Sequence, residues 1–325
     1  MKINVIGGGT WGTTLACLLS KKADISIWQR NLEKNSKVSK ERQHPNLKDY
    51  TIPSEISYVS DLNSIDFNHL SILAVPSHAV VDILSKANLK NGKYLIASKG
   101  FDSNSSSLIS DAMQNSFSID YSSIAVLSGP NHAEEVISQM ASATVIASTN
   151  KTYAKELQSL FSSSRFRVYT SDDIIGVQIG GAVKNIIAIA SGLCVGLKLG
   201  DNTQAALVSR GMNEILNLGS IYDLDHKTLY GLSGLGDLIA TCYSPHSRNR
   251  QLGILIARGY SLEDAKEEIG MVSEGINACR ILNDISDKHN IEMPICKQVY
   301  KILFEKLDPA DSLNKLMTRN LKDEN

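Results

Sequence analysis

Lys184 is the residue of this chain whose position most needs a physical reason. It lies near the middle of GVQIGGAVKNIIAIASGLCVG (176–196), a run that is apolar or small almost throughout, with Asn185 beside it. Ala182, Ile186, Ile187 and Ile189 make the run a helix that is apolar on most sides and therefore buried. An unpaired ammonium there costs roughly several kcal/mol, so Lys184 must find a counter-charge, reach a wet cleft or lose its proton at a lowered pKa. Each outcome suits proton transfer. The bland alternative is a lysine whose stem packs while its head reaches water. Asp237, approached through the glycine-rich GLSGLG (231–236), is an acid suited to pair with it. Ser247, Arg248 and Asn249 stand together at a predicted helix start, where side chains and N–H groups can grip a phosphate. Lys99 follows a predicted strand over 94–98 and offers a fixed cation for a phosphate or carboxylate. Taken singly, a cap Asp, an S-R-N helix start or an exposed lysine is commonplace.

These groups need elements to hold them. The chain opens with a β-prone run over 2–6, then Gly7-Gly8-Gly9-Thr10-Trp11-Gly12, then a predicted helix over 13–19. That is strand, glycine turn, helix. The pattern G-x-G-x-x-G falls on Gly7, Gly9 and Gly12: a tight turn, a backbone open to a pyrophosphate, and a close helix–strand contact. Its position between a strand and a helix favours a dinucleotide site over a merely structural turn. After the second predicted strand (25–28), where an acidic residue would grip the ribose of NAD, stand Gln29 and Arg30. The forked cation of Arg30 suits a 2′-phosphate, so NADPH is expected over NADH, with NADH possible.

Strand and helix alternate onward. Predicted strands over 70–75, 94–98 and 124–127 run into Pro76-Ser77-His78, Lys99-Gly100 and Ser128-Gly129-Pro130-Asn131-His132-Ala133, polar groups at the edge where open α/β sheets bind ligands. From Asp173 the strand pattern stops and helical runs follow. The expectation is α/β: an N-terminal Rossmann-type doubly wound sheet over 1–172, then an all-helical C-terminal domain over 173–325 carrying substrate and catalytic groups.

Composition narrows the functional classes. With 325 residues, 42% hydrophobic and 21% charged, the chain has material for two soluble globular domains. A net charge of -1 provides no dominant basic field for nucleic acid or a membrane surface. No secretory signal is legible at the start, so a cytoplasmic protein is expected. The five scattered cysteines suit reduced, mostly buried thiols, and neither they nor the seven histidines show metal-ligand spacing, so no metal is expected.

Eight motifs in order, GGGTWGTTLA (7–16), VPSHAV (75–80), ASKG (97–100), LSGPNHAEEV (127–136), AVKNIIAIASG (182–192), GLSGLGDLIATC (231–242), SRNR (247–250) and VSEG (272–275), cover nearly the whole chain. Together they resemble the bacterial NAD(P)-dependent glycerol-3-phosphate dehydrogenase family. The resemblance implies that Lys184 is the proton donor and acceptor, and that Lys99 and Asp237 lie in the active site. It further implies that Gly129, Asn131, Ser247, Arg248 and Asn249 line the substrate pocket. Thr10, Trp11, Arg30, Lys99, Ala133, Arg248, Val272 and Glu274 would touch the dinucleotide. Asn131 stands where Ser or Thr is usual, His132 where Phe is common, and Thr10 where Ser is more usual. The implied reaction is reversible reduction of dihydroxyacetone phosphate to sn-glycerol 3-phosphate for phospholipid synthesis, by a homodimer. Two other readings are a related two-domain hydroxyacid dehydrogenase with another phosphorylated substrate, and an NADPH-sensing module without turnover.

Overall fold

The computed structural model describes residues 1–89, 92–270, 274–321, 323 and 324. The first half alternates as predicted. β1 (Lys2–Ile6), α1 (Thr10–Leu19), β2 (Asp24–Trp28) and α2 (Leu32–Glu41) lead to a small hairpin, β3 (Gln43–His44) with β4 (Leu47–Thr51), and then to β5 (Ser57–Val59). β6 (Leu70–Leu73), α3 (Val80–Leu84), β7 (Tyr94–Ile96), α4 (Ile109–Phe117) and β8 (Ile124–Ser128) continue the winding. α5 (Ala133–Ile137), β9 (Ser142–Ala147), α6 (Lys151–Phe161) and β10 (Phe166–Ser171) complete it.

The eight-stranded sheet runs β10-β9-β8-β7-β6-β1-β2-β5. β1 is central because Ile3, Asn4, Val5 and Ile6 are all buried, the near-continuous buried run of a strand covered on both faces. It pairs in parallel with both β2 and β6. The chain therefore leaves β1 first to one side and later to the other, which opens a crevice at the C-terminal ends of β1 and β6. β9 pairs antiparallel to β8, and β10 parallel to β9, so the last two strands run against the others. The apolar runs that mark the strands carry no information on that reversal.

α7 (Ile174–Gly196) follows within three residues of β10. Asp173 caps it, Oδ1 accepting from Gly176 N at 2.7 Å. By length and composition alone it matches a membrane span, yet 89% of its most apolar window is buried inside the protein. The cover comes from α8 (Asp201–Asn217), α9 (His226–Tyr230), α10 (Asp237–Tyr243), α11 (Arg248–Ala257), α13 (Glu274–His289) and α14 (Pro294–Glu305), with α12 (Leu262–Ile269) and α15 (Pro309–Met317) farther out. The closest neighbour is α11. A Cβ on Gly253 would collide with the Ile189 carbonyl, and one on Gly192 with that of Arg250, so both positions keep the two backbones in contact. All five cysteines are free, four of them buried.

The contact between α7 and α11 generates a stability prediction. Gly253→Ala forces backbone apart in a packed core and should cost about 1–3 kcal/mol. Denaturant unfolding measures it, and an unchanged midpoint would mean the helices are not held this closely.

Candidate active site

Asp237 begins α10 directly after a π-helical turn, Leu232–Gly236, in which Gly236 N donates to Gly231 O at 3.0 Å. Such turns recur where a helix must aim a side chain off the regular ladder. Here the aimed group is a carboxylate with only 2% exposure. Lys184, from the middle of α7, donates to Asp237 Oδ1 and, at 2.9 Å, to Thr241 Oγ1. Lys99, just past β7, donates to Asp237 Oδ2 at 2.7 Å and to the Gly129 carbonyl at 2.9 Å. One carboxylate thus holds two ammoniums, one from each half of the molecule.

The electrostatics follow from burial and pairing. Burial lowers the Lys184 pKa, Asp237 partly offsets that, and the charge of Lys99 lowers it again, leaving it at about 8. Burial raises the Asp237 carboxyl, but Lys184 and Lys99 outweigh it and the net shift is downward. The group is therefore an ionised acid holding an ammonium that releases its proton near neutrality. Gly181, one turn before Lys184, makes this approach feasible: a Cβ there would lie 2.7 Å from Ser128 Oγ at the end of β8.

Around the triad lie the groups expected to hold substrate. Gly129 has φ +154°, a backbone that favours glycine. Asn131 turns its amide inward, Nδ2 donating to the Ala143 carbonyl at 3.1 Å. Ser247 caps α11, its Oγ accepting from Arg250 N at 3.3 Å. Asn249 donates to Asn185 Oδ1 at 2.9 Å and accepts from Gly275 N at 3.0 Å. Arg248 is exposed at the first position of α11.

The glycine turn sits at the mouth of the β1/β6 crevice. Gly7 has φ +119°, and a Cβ on it would press on the Ala74 carbonyl. Nothing lies within 4 Å of where a Cβ on Gly9 would be, and Gly9 starts α1 with no side-chain cap. Uncapped N–H groups facing open space fit a dinucleotide pyrophosphate. A Cβ on Gly12 would strike the Gly7 carbonyl, as close helix–strand packing requires. Thr10 and Trp11 follow in the first turn of α1, Arg30 is exposed two residues past β2, and Ala133 opens α5 across the crevice. Glu274, at the start of α13, accepts from Ser77 N at 3.1 Å and Ser77 Oγ at 2.7 Å, past β6. Burial raises its carboxyl, partly offset by those bonds. Val272 lies outside the described residues.

Two profiles for NAD-dependent glycerol-3-phosphate dehydrogenase match the chain, the N-terminus over residues 2–154 and the C-terminus over 173–314. The chain belongs to this family. Relatives of similar length bear the name glycerol-3-phosphate dehydrogenase, NAD(P)+. That of Thermoanaerobacter sp. (strain X514) is 42% identical, covering 100% of this chain and 99% of its own. That of Clostridium acetobutylicum is 41% identical, covering 99% and 98%. The solved glycerol-3-phosphate dehydrogenase of Coxiella burnetii superposes with a TM-score of 0.92 at 34% identity, over 98% of this chain and 99% of that one.

The family's sheet-plus-helices architecture is thus the one found here. Lys99, Gly129, Lys184 and Asp237 touch directly. Asn249 stands one step away, joined to Asn185 on the turn of α7 that carries Lys184. Sequence reasoning missed Thr241 and Ser77. Thr241 had a signal: it lies four residues after Asp237, one helical turn on, and its Oγ1 also donates to the Asp237 carbonyl at 2.6 Å. Ser77 lay in a motif that was noted, but its partner is 197 positions away.

The shared carboxylate makes an asymmetry testable. Asp237→Asn strands two ammoniums and should cost about 3–5 kcal/mol, the range for removing one partner of a buried ion pair. Lys184→Met leaves Asp237 paired with Lys99 and should cost clearly less. Equal losses in urea unfolding would mean that the carboxylate is not shared.

Proposed function

We propose that the chain catalyses reversible NAD(P)H-dependent reduction of dihydroxyacetone phosphate to sn-glycerol 3-phosphate, supplying glycerophospholipid synthesis. The observation that carries this reading is the buried Lys184 ammonium poised on Asp237 beside the cofactor crevice. When bound, the nicotinamide supplies the hydride. Lys184 supplies the proton: its ammonium stabilises charge growing on the C2 oxygen and then protonates it. Asp237 orients Lys184 through one oxygen and Lys99 through the other. Thr241 fixes the Lys184 amine from the next turn. Lys99, less buried than Lys184, faces substrate and cofactor, while Ser247, Arg248 and Asn249 at the start of α11 hold the phosphate so that C2 is correctly placed. Gly129 and Asn131 form the opposite wall.

Gly7, Gly9 and Gly12, with Thr10, Trp11, Ala133 and Glu274, hold the dinucleotide. Arg30 supports NADPH as the preferred form, because it stands where a 2′-phosphate would fall. Residues 1–172 act as the dinucleotide-binding unit and 173–325 as the unit carrying substrate and catalytic groups, in a cytoplasmic homodimer as the family resemblance suggests.

The proton's direction sets the pH dependence. Reduction needs the Lys184 ammonium, so its turnover should be level below about 8 and fall above it; oxidation needs the free amine and should rise through the same value. Lys184→Ala should lower turnover by about two to four orders of magnitude while NADPH binding by fluorescence titration stays nearly intact. NADPH absorbance, followed with dihydroxyacetone phosphate and with unphosphorylated dihydroxyacetone, tests the substrate class. Equal rates with both would remove the phosphate site from the reading.

A further inference from the structure

Two histidines that the reaction as derived does not use lie against each other next to its proposed phosphate end. His132 occupies the N-cap position of α5, in the loop after β8, and is partly buried. The Ala240 backbone on α10 favours its protonated form, though burial outweighs it. Its ring centroid lies 6.2 Å from that of His246, with the planes tilted by 53°. His246 immediately precedes Ser247, the cap of α11, and its own N–H donates to Ser244 Oγ at 3.1 Å. His132 therefore stands against the residue that directly precedes the cap of α11.

We propose that His132, packed against His246, forms a proton-linked wall of the phosphate subsite, the His132 ring taking up a proton as the substrate's dianion binds. This rests on the assignment of α11's N-terminus to that phosphate. The charged groups facing His132 are Lys184 on α7, Asp237 on α10 and Glu135 on its own helix. Burial first, and then the charge of Lys184, lower its pKa below the ordinary 6.5, so the ring is neutral near pH 7 without substrate. A dianion alongside reverses the balance, because an opposite charge within a few ångströms favours the imidazolium.

The linkage has a definite sign. A ring whose pKa rises on binding makes binding tighter as pH falls through the bound-state value. Between pH of about 8 and 6.5 the substrate phosphate stays mostly dianionic, its second pKa being about 6. KM for dihydroxyacetone phosphate should therefore fall roughly three- to ten-fold over that window, one pKa unit being tenfold. His132→Phe keeps a flat ring without a proton and should flatten the KM profile, while the pH at which kcat breaks stays where Lys184 sets it. A KM profile in His132→Phe parallel to that of the unaltered protein overturns the proposal. If the protein does not turn over dihydroxyacetone phosphate at all, the substrate assignment falls, and inorganic phosphate still decides the histidine wall. Calorimetry in two buffers of different ionisation enthalpy should show proton uptake that His132→Phe loses; no uptake overturns it.

Discussion

A single carboxylate with two ammoniums is the constraint on which the rest of this structure depends. Asp237 is buried in a place where an isolated charge is untenable, and so are most of Lys184 and the tip of Lys99. Removing three charges from water is offset only if each stays within hydrogen-bond reach of the others. The arrangement carries a net charge of +1, and burial first, then the charge of Lys99, hold the Lys184 pKa at about 8 rather than 10.5. An active site for ketone reduction needs this condition: an acid strong enough to give up a proton near neutrality, in a setting that welcomes one more negative atom. In the proposed reaction, the reacting oxygen, as charge grows on it, becomes the second anion for the second cation.

Holding three charges so closely dictates the surrounding architecture. α7 must be buried for the lysine to be desolvated, which explains a helix with the composition of a membrane span inside a protein fold. It must also be approached closely from several sides. Gly181 admits the end of β8, Gly192 admits α11, and the π turn before α10 brings Asp237 inward at an angle that a regular helix would not give. The small residues of α7 are therefore as necessary to the chemistry as the lysine.

Much of this was legible in the chain. A lysine in a greasy run demands a counter-charge, and a glycine-rich approach to an aspartate suggested the partner; both readings rest on local composition. The glycine fingerprint declared its strand and helix for the same reason. Pairings at long range were not legible, because sequence separation carries no distance. Lys99 was expected near substrate, but nothing in ASKG shows that its amine shares Asp237, 138 positions away. Nor does anything in SRNR show that the Asn249 amide is partly committed to Asn185 and Gly275. The reversal of β9 and β10 was invisible as well, since strand propensity has no direction.

The same contacts that tune the proton also join the two halves of the molecule. Lys99 comes from the sheet and Asp237 from the helices; Ser77 comes from the sheet and Glu274 from the helices. Both carboxylates are buried, and both are satisfied by donors across the boundary, so opening the cleft would expose each to loss of its partners at once. Separation of the halves would leave Lys184 with Asp237 but without the repulsion of Lys99, and its amine would hold its proton more tightly. Lys99 thus adds to the acidity of Lys184 from across the boundary, beside the larger effect of burial.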